Sequence, residues 1–156
     1  MIEKISFLIP GPPVAKGRAR SVVRNSKRGL TVGHYTPEKT AKYENLVRLA
    51  AQIAMDGRNV LNGPVAIKLT AWLPIPKSYS KKRMAACLNG SERHVKRPDL
   101  DNIVKSVTDG CNEVVWRDDS QIVSITANKH YGETPGMEVI VFTINTENYD
   151  NGKTGN

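Results

Sequence analysis

Val65, Ile67, Leu69, Ala71 and Leu73 take every second position, with Lys68, Thr70 and Trp72 between them, so this segment is a strand with one face that must be covered. Pro74 and Pro76 close it. The covers are also legible. Thr36-Pro37-Glu38 offers a hydroxyl cap, a proline at the first helical position and an acid in the first turn. Tyr43, Leu46, Val47, Ala50, Ile53 and Ala54 then recur at helical spacing, until Gly57 provides a left-handed stop. From about Leu100 to Val115, Ile103, Val107, Cys111 and Val114 define a second amphipathic helix, with Asp101 and Lys105 paired four apart on its other face. Ile5, Phe7 and Ile9 alternate in a first strand that ends at Pro10-Gly11-Pro12-Pro13. Residues 121–129 and 137–145 read as two further strands joined across 132–136, and Val139 to Ile144, apolar on both faces, is central. The expected fold class is α+β: a mixed or antiparallel sheet of about four strands with two helices packed on one face and basic loops around the site. The 156 residues fit a single domain over 1–145, followed by a polar, disordered tail at 146–156.

No apolar run approaches the length of a membrane span, and the N-terminus lacks the pattern of a secretory signal, so a cytoplasmic location is expected. Cys87 and Cys111 then read as small buried hydrophobes, and His34, His94 and His130 have no zinc spacing. A net charge of +8 points to a polyanionic partner, and the signs are segregated. Lys16, Arg18, Arg20, Arg24, Lys27 and Arg28 form one basic block, in a mobile arm or loop pair with a short hairpin turn expected near 26–29. Lys77, Lys81, Lys82, Arg83, Arg93, Lys96 and Arg97 form a second, in an irregular lid or DNA-facing loop with about one helical turn around 81–88.

Between these blocks and the C-terminal strands lie Asp99, Asp101, Asp118 and Asp119. Like charges about 4 Å apart repel by roughly 4 kcal/mol at an effective dielectric of 20, so a carboxylate cluster calls for a cation. Mg²⁺ suits it, taking oxygen ligands from one or two carboxylates and completing its shell with water and phosphate. In a basic chain this pattern suggests a metal-dependent nuclease. Taken one pair at a time, the acids also read as a helix cap (Asp99 or Asp101) and a turn before a strand (Asp118-Asp119). A helix of about fourteen residues would hold the pairs roughly 20 Å apart. Either the chain doubles back after the helix, so that Asp119 starts a strand beside it, or the site lies across a dimer. Ile103 and Val104 exclude an EF-hand, and Gly11 to Gly17 is no P-loop, lacking Gly before Lys16 and Ser or Thr after it.

Arg97-Pro98-Asp99-Leu100-Asp101-Asn102-Ile103-Val104-Lys105, then Asp109, then Trp116-Arg117-Asp118-Asp119-Ser120-Gln121-Ile122, resembles the signature of the RusA family of Holliday-junction resolvases. Lys16 to Arg20, Tyr35 to Thr40 with Tyr43-Glu44, and Lys129 with Tyr131 resemble further family segments, so the likeness spans roughly 5–144. Asp109-Gly110-Cys111-Asn112-Glu113 departs from the family's frequent Asp-Ala-Leu-Asn-Gly. The resemblance implies a Mg²⁺-dependent endodeoxyribonuclease, with Mn²⁺ as a substitute, acting as a homodimer that cuts a four-way DNA junction by paired symmetric incisions in recombination and repair. It further implies catalytic roles for Asp99, Asp101, Lys105 and Asp119, with Asp118 an additional metal-side acid. Lys16, Arg18, Arg20, Arg24, Lys81, Lys82, Arg83 and Arg97 would then track backbone phosphates. Two other functions compete: a non-catalytic DNA-binding accessory protein, which would cut nothing at any Mg²⁺ concentration, and a less selective flap or fork nuclease.

Overall fold

The computed structural model describes residues 3–145, and the expected tail at 146–156 lies outside them. Strands β1 (Lys4–Pro10), β4 (Val65–Pro74), β5 (Ile122–Gly132) and β6 (Gly136–Thr143) form one mixed sheet in the order β1-β6-β4-β5. β5 runs parallel to β4, and the other neighbours are antiparallel. Although β5 and β6 are consecutive in sequence, β4 lies between them, and β6 is interior as its two-sided apolar pattern predicts. Met137, Val139 and Val141 of β6, with Val65 and Ala71 of β4 and Ile9 of β1, are fully shielded from solvent. Alternate residues of β4 reach the core, as expected from period two.

Helices α1 (Glu38–Met55) and α3 (Leu100–Cys111) pack together over the sheet and cover its apolar face. The α1 face turns out slightly rotated: Thr40, Tyr43, Val47, Ala51 and Met55 are buried, whereas Ile53 is 71% exposed. Pro37 is the cap rather than the first helical residue, and no side chain bonds the free amides there. At the far end Asp56, with φ 48°, takes the left-handed position just before Gly57. In α3, Ile103, Val107 and Cys111 are buried, and the helix stops at Cys111 rather than near 115. Gly110 lets the two helices approach, since a Cβ there would lie 2.8 Å from the Val47 side chain and 3.0 Å from the Glu44 carbonyl oxygen. The irregular 77–97 segment contains a true helix, α2 (Lys81–Asn89), capped by the Ser80 side chain and ended by Gly90 in the left-handed conformation. Among the described residues no helix is long and apolar enough to cross a membrane.

The basic arm is ordered as β2 (Arg20–Ser26) and β3 (Gly29–Tyr35), an antiparallel pair forming a sheet of its own. Lys27 and Arg28 make its tip, where the Ser26 hydroxyl accepts from the Arg28 amide and donates to the Gly29 carbonyl.

Candidate active site

The chain doubles back after α3, the first of the two solutions open to the sequence. Glu113, with φ 64°, begins the reversal, and Trp116, fully buried, donates its indole N–H to the Asn112 amide oxygen at 2.8 Å. The returning chain is tied to the segment before β4: the Leu61 amide donates to the Val115 carbonyl at 2.8 Å, and the Gln121 side chain donates to the carbonyls of Leu61 and Gly63. A 3₁₀ turn (Asp119–Gln121) then launches β5 alongside α3. Asp119 Oδ2 thereby comes within 3.0 Å of Lys105 Nζ, although fourteen residues separate them.

That contact ends a chain of alternating charge. Lys105 also bonds Asp109 Oδ1 at 3.0 Å; Asp109 Oδ2 bonds Lys16 at 3.0 Å; Lys16 donates to Glu44 of α1. Lys105 therefore pairs forward along its helix with Asp109, not backward with Asp101. Hydrogen bonds to Asp109 and Asp119 raise the Lys105 pKa above its ordinary value, so it stays an ammonium at neutral pH. Partial burial opposes the charge on Lys16, but Glu44 and Asp109 outweigh it and the net shift is upward. The backbone is stitched at the same place: the Lys16 amide donates to the Asn102 carbonyl at 2.8 Å, and the buried Ser106 hydroxyl to the Val14 carbonyl at 2.6 Å.

Asp101 and Asp119 line one open cleft of about 250 Å³ with Lys105 and Thr108. Asp99 does not join them. It is the N-cap of α3, with extended backbone, just outside the helix whose first turn carries Asp101. It lines a larger neighbouring cleft of about 990 Å³ with Arg18, Arg20, Arg97 and Asn102. Asp118, expected beside the metal, caps the 3₁₀ turn: its carboxylate Oδ2 accepts from the Ser120 amide at 3.1 Å, and the Gln121 side-chain oxygen accepts from the Asp118 amide. The bonds from Ser120 hold the Asp118 pKa below its ordinary value. The expected four-carboxylate cluster is thus not assembled in one chain. Among the described residues no three His, Cys, Asp or Glu side chains stand close enough to hold an ion together. The donors that do share a cleft, two carboxylates open to solvent, match what Mg²⁺ takes from proteins before water and phosphate fill its shell.

The basic residues divide likewise. Arg18, Arg20 and Arg97 face the cleft of Asp99, Arg24 lies on the β2–β3 hairpin, and Lys81 and Lys82 are exposed at the start of α2. Lys16 and Arg83, also expected on the DNA, are each paired within the chain. Lys16 is held by two carboxylates; Arg83 forks onto Glu92 at 2.7 to 3.0 Å and stacks over Tyr79, 3.6 Å from the ring centre. Sequence reading passed over Asp109 and Glu44 as site residues. The Lys105–Asp109 spacing of four is a helical-pair signal for the first; Glu44 carries none, because its partner arrives from another element. Lys129 also reaches this region. Its ammonium donates to the carbonyls of Lys96 at 2.7 Å and Pro98 at 3.0 Å, bracing the entry to α3.

Residues 10–142 match the model of a family described as "Endodeoxyribonuclease RusA". A curated relative, described as "Uncharacterized protein YqaN", from Bacillus subtilis (strain 168), is 36% identical over 142 residues, which cover 90% of this chain and 96% of the relative.

Proposed function

This chain belongs to the RusA family of endodeoxyribonucleases, and from that premise we propose that it is a Mg²⁺-dependent resolvase of four-way DNA junctions, acting as a homodimer in recombination and repair. The observation that carries the reading is the cleft that gathers Asp101, Lys105 and Asp119, with Asp119 held 3.0 Å from the lysine by the doubled-back chain. Asp101 and Asp119 would hold the ion; Mn²⁺ would substitute. When bound, the ion supplies a water of lowered pKa and neutralises charge on the phosphoryl oxygens.

The chain's own residues do the rest. Asp109 fixes Lys105 from one side, so its ammonium stays aimed into the cleft, where it stabilises the negative charge that grows on the phosphoryl group. Arg18, Arg20 and Arg97 take flanking phosphates in the adjoining cleft, with Arg24, Lys81 and Lys82 further out. Asp99 lines a different cleft from Asp101 in its own chain, which supports a catalytic site completed across the dimer, each Asp99 serving the second copy's Asp101 and Asp119. Paired incisions across a junction need two such sites related by two-fold symmetry.

The test is cleavage of a synthetic four-way junction, with flap and duplex DNA in parallel. Asp101→Asn should abolish Mg²⁺-dependent cutting and keep junction binding. Mixing equal amounts of Asp99→Asn and Asp101→Asn should restore about a quarter of the active sites, because about half of the reassorted dimers are mixed and each of these keeps one intact site of its two. Wild-type rates from Asp101→Asn would defeat the assignment, and a silent mixture would place each site within one chain. A wild-type protein that binds but cuts none of the three substrates would be an accessory protein instead. Equal cutting of all three would make it an unselective nuclease.

A further inference from the structure

We propose that the β2–β3 hairpin is a one-faced ribbon that lies in the groove of a duplex arm beside the branch point. This deepens the junction-resolvase reading and rests on it for the identity of the DNA. Every residue of β3 is exposed, and only Val22 of β2 is partly covered, so the pair stands off the body. Side chains alternate across the ribbon. The register places Arg20 opposite Tyr35, Val22 opposite Gly33 and Arg24 opposite Thr31 on one face. The other face carries Ser21 with His34, Val23 with Val32 and Asn25 with Leu30; the Ser21–His34 contact at 3.1 Å shows that this pairing is made.

Charge complementarity selects the occupant. From Gly11 to Pro37 the chain contains no Asp or Glu, while Arg20, Arg24, Lys27 and Arg28 all lie on the basic face or at the tip. Cationic groups whose own segment offers no acid to neutralise them suit a phosphate backbone. Dimensions agree. Seven residues per strand reach about 23 Å at roughly 3.3 Å each, and a two-stranded ribbon fits a major groove about 12 Å wide. The surface is also continuous with the proposed site, since Arg18 and Arg20 at the hairpin root line the cleft that holds Asp99. A junction held at its branch point would thus have one arm running out along the hairpin.

The test is junction binding by fluorescence anisotropy across a KCl series, without divalent cation. Four neutralised phosphates contribute about 3.6 to the log–log salt slope at roughly 0.9 each. Changing Arg20, Arg24, Lys27 and Arg28 to Gln together should flatten the slope by about that amount, whereas Val23→Thr with Val32→Thr on the opposite face should leave it unchanged. If the fourfold variant fails to fold, replacing residues 20–35 with a Gly-Ser linker makes the same measurement. A slope that moves by less than one unit would overturn the proposal. So would an opposite-face variant that loses binding equally, or that halves the mass seen by light scattering, which would make the ribbon's partner a second copy. Lost slope in a wild-type protein that never cuts would sink the nuclease reading and keep the ribbon; normal cutting with an unmoved slope would do the reverse.

Discussion

Ser106→Ala tests whether the segment after β1 is locked to α3 by one buried hydroxyl. Ser106 is fully buried and stands 2.6 Å from the Val14 carbonyl and 2.9 Å from the Ile103 carbonyl. A hydroxyl has one proton, and the Ile103 carbonyl lies inside α3, where the helix ladder already uses it, so the proton belongs to Val14. Alanine leaves that acceptor without its donor, which costs about 1–3 kcal/mol, against a helix-propensity gain of about 0.5 kcal/mol. The net loss is about 1.5 kcal/mol. At about 2–4 °C per kcal/mol for a chain of this size, the melting temperature should fall by about 3–6 °C. Because Lys16 follows Val14 by two residues and holds Asp109, junction cleavage should weaken as well. Thermal unfolding by circular dichroism, with urea titration as a check, reads the effect. A melting temperature equal to or above the wild type would refute the claim that this bond anchors the segment.

Asp109→Asn frees both lysines from their shared carboxylate and should lower kcat for junction cleavage by about ten- to a hundredfold, with KM little changed, as loss of an outer-shell partner does; a purely stability-driven loss would instead disappear at lower temperature. His94 is buried against Tyr131, and burial, with the Lys129 ammonium adding to it, lowers its pKa below 6.5. The unfolded chain therefore binds the proton first as pH falls, so His94 contributes stability above pH 6.5 that is lost below it. Urea midpoints measured from pH 5 to 8 should rise with pH in wild type and flatten in His94→Phe; equal slopes would contradict this. The Cys111 thiol, fully buried and pushed up to about 12 by that burial, should resist alkylation at pH 8 until urea unfolds the chain, as peptide mapping would show; rapid labelling of the native protein would disprove it.

Local chemistry made much of this protein readable in one dimension. Period-two and helical apolar patterns identified the four sheet strands and both covering helices, because each element must bury one face and its geometry sets which residues share that face. The acid motif stood out as carboxylates concentrated in an otherwise basic chain. Tertiary structure decided where those acids stand. Asp118 became a cap because its own turn offers the Ser120 and Gln121 bonds, and Asp99, at the extended N-cap position, lines the cleft beside that of Asp101. The insertion of β6 between β1 and β4 likewise depends on pairing between distant segments, as does the Glu44–Lys16–Asp109–Lys105–Asp119 chain. A residue's periodicity is set by its neighbours in the chain. Its partner is set by whichever remote element the folded core brings alongside.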